Sequence, residues 1–191
     1  MANYHPDWQM EAQFLTMDLH RVMDLDSTVN SHPIVQEVNH PDQITEIFDT
    51  ISYAKGASVL RMLEQFLGPE LFRQGVSLFL ARFQYSNAVT ADLWAAMEEV
   101  SEGGLDIRGI MDTWTRQMGY PVLQVTRASP SSYRVEQKRY LTDRSLEGHG
   151  AVSPYGYRSV FISSPVRKGA TLLGIKNVLI LSTLAETSPE G

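Results

Sequence analysis

Histidines are the first residues to consider for chemistry in this 191-residue chain, because they bind metals and transfer protons near neutral pH. A helical metal site needs two histidines one turn apart so that both rings face one ion, and no pair in this sequence has that spacing. Scattered histidines are more often solvated or capping groups, and a ligand role would require assembly in three dimensions. The five are His5, His20, His32, His40 and His149.

Other catalytic and binding motifs are missing from the sequence. The chain has no cysteine, which excludes thiol catalysis, disulfides and a thiolate zinc site. No serine lies in a Gly-x-Ser-x-Gly turn, and Gly103 and Gly104 are too far from a basic residue to form a nucleotide loop. The acidic pair Glu98 and Glu99 fits the exposed face of a helix, with a metal or acid–base role as the alternative.

Tyr53 is the side chain best placed for chemistry. It stands near the start of an amphipathic helix, in the run from Phe48 to Gly68. Spacing alone favours a half-buried tyrosine whose hydroxyl bonds to water or backbone, as most tyrosines do. A phenol can also donate a hydrogen bond to a developing oxyanion without ionising at neutral pH.

The elements that must position these residues are mainly helices. Glycine and proline mark their ends, as at Gly68-Pro69, and Thr90 is a plausible N-terminal cap. In the helix that carries Tyr53, we expect one apolar sector made of Ala57, Leu60, Leu63, Glu64 and Leu67. The predicted helices cover residues 6–25, 41–48, 52–67, 69–83, 90–100 and 107–118, with a loop over 27–41.

The composition changes near Gly119 to Pro121, where the helical pattern stops. Residues 122–125, 133–141 and 157–162 alternate with a period near two, which is typical of strands. We therefore expect a helical unit followed by the start of a β unit.

The segment around Tyr53 resembles the zinc-dependent aminopeptidases of the gluzincin class, the family that includes aminopeptidase N and glutamyl aminopeptidase. The pattern Ile-Ser-Tyr-x-Lys-Gly-Ala from Ile51 matches the tyrosine segment of that family nearly residue for residue. The resemblance covers residues 4–125, continues more weakly to Tyr157 and is expected to end there. It also includes the segments that begin at Asp7, Arg21, Ser31, Asn39, Ala91 and Met111.

The resemblance implies a fold and a domain division. The fold would be the helical C-terminal half of a thermolysin-like catalytic domain, followed by the first strands of a β-sandwich domain. Residues 1–120 would belong to the catalytic domain, 121–160 to a partial β-sandwich, and 161–191 to a divergent tail of uncertain structure.

The resemblance also implies a role for Tyr53, whose hydroxyl would stabilise the tetrahedral intermediate of peptide hydrolysis. Lys55 and Gly56 belong to the same motif. We interpret Gly56 as a site of close helix packing and assign Lys55 no chemical step.

In such enzymes the cofactor is zinc, but the His-Glu-x-x-His motif, the distal glutamate ligand and the Gly-x-Met-Glu-Asn motif would all precede this segment. We therefore expect no metal ligand in this chain and no hydrolysis by the chain alone, whether it is a fragment, a splice product or a truncated gene model. Its partners would be peptides with a free N-terminus and the missing N-terminal catalytic part or a full-length relative. By resemblance the location would be the plasma membrane with an extracellular active site, or the cytoplasm.

Two other interpretations stay open. The chain could be a non-catalytic helical interaction module that binds a partner, or a product that folds poorly without the rest of the domain. The formal net charge of −6 argues against a nucleic-acid partner, and no apolar stretch is long enough to span a bilayer.

Overall fold

The computed structural model describes residues 4–101, 104–129 and 132–143, without the side chains of 124–136. The predicted strand over 157–162 and the tail over 161–191 lie outside the described residues. The chain divides into two compact units. The first unit includes residues 4–61, 111–122 and 138–143, and the second includes 62–101, 104–110, 123–129 and 132–137.

Helices dominate the described chain, and the strands come last. A short 3-10 turn is followed by two α-helices with a π-helical segment between them: Pro6–Trp8, α1 (Met10–Gln13), the π-helical segment Phe14–Leu19 and α2 (His20–Asp26). The remaining helical elements are α3 (Gln43–Glu46), the π-helical segment Ile51–Lys55, α4 (Gly56–Leu67), α5 (Pro69–Arg82), α6 (Thr90–Val100) and α7 (Ile107–Thr115). Strands β1 (Pro121–Ser129) and β2 (Ser132–Arg139) pair in one sheet. A mainly helical chain with strands at its C-terminal end is the fold class that the sequence predicts.

The local differences from the prediction lie at helix ends. The helix expected to begin at Pro6 is interrupted at Gln9, whose φ of 49° is left-handed. Thr90 is the first residue of α6, and the cap is the residue before it, Val89. The backbone N–H of Val89 donates a hydrogen bond to the carboxylate of Asp92 at 2.8 Å. Helix α7 ends at Thr115, three residues before the expected end at Met118.

The core of the first unit lies where α2 packs on the π-helical segment before α4. Val22, Ile51 and Ala54 form a buried cluster at this contact. The backbone N–H of Val35 donates to the carbonyl of Thr115 at 2.8 Å and fixes the loop after α2. This unit contains Tyr53.

The buried face of α4 matches the predicted sector only in part, at Leu63 and Leu67. Its buried residues are Val59, Leu63 and Leu67, which repeat every four positions, whereas Ala57 is exposed. Extended backwards by four residues, the same stripe reaches Lys55.

Close helix packing occurs at a glycine other than the one expected. A Cβ added to Gly56 would meet no described atom within 4 Å, so the packing role assigned to Gly56 is wrong. In the second unit, where α5 packs on α6, a Cβ on Gly75 would overlap the sulfur of the fully buried Met97. Gly75 is therefore the position at which two helices approach too closely for a larger side chain.

We expect Gly75→Ala to destabilise the chain by about 1–3 kcal/mol, because the added methyl group would force the buried Met97 side chain to shift. The matched change Gly56→Ala meets open space in a helix and should be neutral or stabilising by up to about 1 kcal/mol. Urea unfolding of both variants measures the difference. A Gly75→Ala chain as stable as Gly56→Ala would contradict this packing.

The two strands form the expected start of a β unit. Residues 122–125 lie within a strand, as predicted, and the strand predicted over 133–141 ends two residues earlier, at Arg139. The short link between β1 and β2 permits only an antiparallel pair. Within the part of the chain that the structure describes, no helix has the length and apolar character needed to cross a bilayer.

Candidate active site

Tyr53 lies on the π-helical segment Ile51–Lys55, directly before α4. Its side chain is 65% exposed, more than the half-burial that spacing alone suggested, and it forms no hydrogen bond with the described residues. The ring lies near that of Phe48, with centroids 6.4 Å apart. π-Helical turns are often found at functional sites, and this one presents a phenol whose hydroxyl is free to donate.

The neighbours of Tyr53 hold its turn in place. Ile51 and Ala54 are buried against Val22, and Lys55 is 5% exposed. An exposed tyrosine is thus carried on a turn with three residues buried in the first unit. This arrangement limits how far the phenol can move without breaking core contacts.

Lys55 belongs to the Tyr53 motif, but the motif does not predict its burial beside an acidic residue. Its ammonium group lies 2.8 Å from a carboxylate oxygen of Asp26, and both side chains are almost fully buried. It also donates to the backbone carbonyls of Gln117 at 3.0 Å and Gly119 at 2.9 Å. Burial lowers the pKa of Lys55, the charge of Asp26 opposes that shift, and the three acceptors require a fully protonated ammonium group.

Asp26 completes this buried network. Its second carboxylate oxygen accepts hydrogen bonds from the hydroxyl of Ser31 and from the backbone N–H of Gly119, the latter at 2.7 Å. Gly119 has a φ of 78°, and a Cβ there would overlap the side chain of Arg139. The network therefore joins α2, the Tyr53 turn and the loop before β1, and its role is structural rather than chemical.

A second contact lies on the N-terminal side of the Tyr53 turn. One oxygen of Asp49 accepts from the backbone N–H of Ser52 at 2.8 Å, and the other lies 2.5 Å from Nε2 of His32. The backbone N–H of Tyr53 itself donates to the carbonyl of Asp49 at 3.1 Å. Asp49 is thus an N-terminal cap of the turn that presents the tyrosine.

The described histidines do not come together. His5 stacks on Trp8, His20 is exposed, and His40 lies 3.2 Å from Asp42 on the surface. His149 lies outside the described residues. Among the residues that the structure describes, no three histidine, aspartate or glutamate side chains form a group that could hold a metal ion.

The acidic pair has structural partners in the second unit. Glu99 forms an ion pair with Arg82 at 2.8 Å, and Glu98 accepts from the backbone N–H of Arg108 at 2.8 Å. Glu99 is exposed, as expected, while Glu98 is only partly exposed. Both carboxylates therefore stabilise contacts between α6 and a neighbouring helix.

Comparison with known proteins identifies the family. The family model described as the Peptidase family M1 domain matches residues 1–114. Glutamyl aminopeptidase of Homo sapiens is 47% identical over 151 residues, which make up 79% of this chain and 15% of that protein. Glutamyl aminopeptidase of Bitis rhinoceros is 49% identical over 151 residues, again 79% of this chain and 15% of that protein.

A relative from yeast extends the match. The alanine/arginine aminopeptidase of Saccharomyces cerevisiae is 39% identical over 184 residues, which are 96% of this chain and 20% of that protein. A match over 96% of the chain must continue past Tyr157, where the resemblance was expected to end. The chain thus spans only 15% to 20% of the length of these relatives. Because the family model covers more than half of its residues, the chain belongs to peptidase family M1, a family of metalloaminopeptidases.

Proposed function

We propose that this chain is the segment of a zinc-dependent metalloaminopeptidase that supplies the transition-state tyrosine for removal of N-terminal amino acids from peptides. The observation that carries the proposal is the exposed phenol of Tyr53 on a turn held by three buried residues, Ile51, Ala54 and Lys55. Membership of peptidase family M1 and the names of the aminopeptidase relatives support the reaction class.

The chemistry of Tyr53 follows from its side chain. The neutral phenol donates a hydrogen bond to the oxygen of the scissile carbonyl as negative charge develops there, and this bond is stronger in the transition state than in the substrate complex.

The described residues do not fit a zinc site, since they contain no suitable group of ligands. We propose that zinc and its ligands belong to a part of the enzyme that this chain does not contain. The chain alone is therefore expected to be inactive, and its partner would be that N-terminal catalytic part or a full-length relative.

A domain division accompanies this proposal. Residues 1–120 would form the C-terminal part of the catalytic domain, and residues 121–160 would form the first part of a β-sandwich domain. In support, the family match stops at residue 114 and β1 begins at Pro121.

A chimera with a known relative tests the proposed function, because it requires no sequence of this protein beyond the present chain. In human glutamyl aminopeptidase, the matching 151-residue segment is replaced by that of this chain. We expect the chimera to hydrolyse a glutamyl anilide and to keep the zinc content of its host, while the isolated chain does neither. A chimera that folds cooperatively and holds zinc but is inactive would contradict the proposal, as would hydrolysis by the isolated chain.

The alternative function is a non-catalytic interaction module. Large apolar side chains are exposed in the described residues, among them Met17 at 67%, Phe48 at 63% and Leu80 at 62%. Such side chains favour a surface that contacts another protein. An inactive chimera, together with a stable oligomer of the isolated chain in size-exclusion chromatography, would support this alternative.

A further inference from the structure

His32 has a hydrogen-bond acceptor at each ring nitrogen. Nε2 lies 2.5 Å from the carboxylate of Asp49, and Nδ1 lies 2.8 Å from the backbone carbonyl of Pro33. Each contact needs a proton on the ring nitrogen, so both can form together only when the ring is the charged imidazolium. The Gln36 atom that lies 2.8 Å from Nδ1 is the amide nitrogen, a donor that suits the neutral ring, and the charged ring would need this amide turned over so that its oxygen faces Nδ1.

The charges around the ring favour the imidazolium. Burial opposes the charged form, but the hydrogen bonds to Pro33 and Asp49, together with the charges of Asp49 and Asp26, raise the pKa of His32 above its ordinary value. Burial likewise raises the pKa of Asp49, and the Ser52 N–H and the His32 charge outweigh it, so the pKa of Asp49 is lowered. Lys55, on the far side of Asp26, donates to three acceptors, which is the pattern of an ammonium group.

Asp49 connects the imidazolium to Tyr53. The same carboxylate caps the N–H of Ser52, and the Asp49 carbonyl accepts from the N–H of Tyr53. The side chains of His32 and Asp49 are 27% and 35% exposed, so protons from solvent reach the pair. A neutral ring can still donate from Nε2 to Asp49, but it loses the charge attraction and cannot also donate to the Pro33 carbonyl, which loosens the cap of the Tyr53 turn.

We propose that His32 is a positioning residue for Tyr53, and that the rate contribution of Tyr53 falls as the imidazolium loses its proton. The proposal rests on the proposed function of Tyr53. The direction of the pH effect follows from the geometry. The cap of the Tyr53 turn is complete where His32 is charged and Asp49 is ionised, and it weakens as pH rises through the pKa of His32. We therefore expect kcat to decline at alkaline pH because His32 loses its proton.

The test uses the active chimera and the variants H32Q and H32K, with kcat measured from about pH 6 to about pH 9. H32Q, which is never charged, should lower kcat about tenfold at the acidic end and remove this alkaline decline. H32K keeps a positive charge across the range, so its kcat should stay flat where the wild type declines. The exposed change His20→Gln is the control and should leave the profile unchanged.

A double-mutant comparison separates positioning from general stability. In a Tyr53→Phe background, H32Q should have little further effect on kcat, because the hydroxyl that it positions is gone. An equal loss from H32Q in both backgrounds would overturn the positioning role while leaving the proposed function of Tyr53 intact. If Tyr53→Phe itself leaves kcat unchanged, the proposed function of Tyr53 is wrong, and the positioning role of His32 is wrong with it. If H32Q does not fold, a declining H32K profile identical to that of the wild type still overturns the proposal.

Discussion

Replacing Lys55 by Met is expected to lower the free energy of unfolding by about 3–5 kcal/mol. The substitution removes the ammonium group and leaves the carboxylate of Asp26 buried with only neutral donors, those of Ser31 and Gly119. It also leaves the carbonyls of Gln117 and Gly119 without the Lys55 donor. Most of the cost is the uncompensated buried charge rather than the net value of the ion pair.

Urea unfolding measures this effect against a matched control. Lys138→Met makes the same chemical change at an exposed position and should change stability by less than about 0.5 kcal/mol. Combining Lys55→Met with Asp26→Leu should cost less than the sum of the two single changes, because neither charge is left unpaired. A Lys55→Met chain that is as stable as Lys138→Met would show that the buried pair does not hold the Tyr53 turn.

Replacing Tyr53 by Phe is expected to lower kcat of the chimera about a hundredfold or more, or about 3–4 kcal/mol of transition-state stabilisation. The change removes one hydroxyl and keeps the ring contact with Phe48, so the fold should be preserved. KM should change much less, because the hydrogen bond forms fully only when the carbonyl oxygen becomes negative.

The control for this change is Tyr85→Phe. Tyr85 is fully exposed, and losing its hydroxyl should leave kcat and stability unchanged. Steady-state kinetics on a glutamyl anilide, with zinc content measured on the same samples, give the comparison. A Tyr53→Phe chimera with normal zinc and unchanged kcat would remove the tyrosine from the mechanism.

Much of the fold could be predicted from local sequence signals. Gly68-Pro69 separates α4 from α5, and Pro121 begins β1, because these residues disfavour continuation of a helix. The π-helical turn at Ile51–Lys55 could not be predicted, since an apolar pattern with a period near 3.6 residues does not reveal one wider turn. Nor does the pattern show that the buried stripe of α4 includes Val59 and excludes Ala57.

The candidate site was only partly predictable for a different reason. Tyr53 was identified through its motif, but its supporting contacts join residues far apart in the sequence. His32 and Asp49 are 17 positions apart, and Asp26 and Gly119 are 93 apart. One local signal for Lys55 was present, since it lies four residues before Val59 on the buried stripe. A lysine on an apolar stripe implies a buried partner, although only the fold shows that the partner is Asp26.

The most direct test of the account is the affinity of a phosphinic peptide analogue, which mimics the tetrahedral intermediate, for the chimera with and without Tyr53→Phe. If the Tyr53 hydroxyl stabilises that intermediate, the substitution should weaken binding of the analogue about a hundredfold, in proportion to its effect on kcat/KM. The affinity for free glutamate, a reaction product without a tetrahedral centre, should stay the same. Equal affinity of both chimeras for the phosphinic analogue would contradict the account.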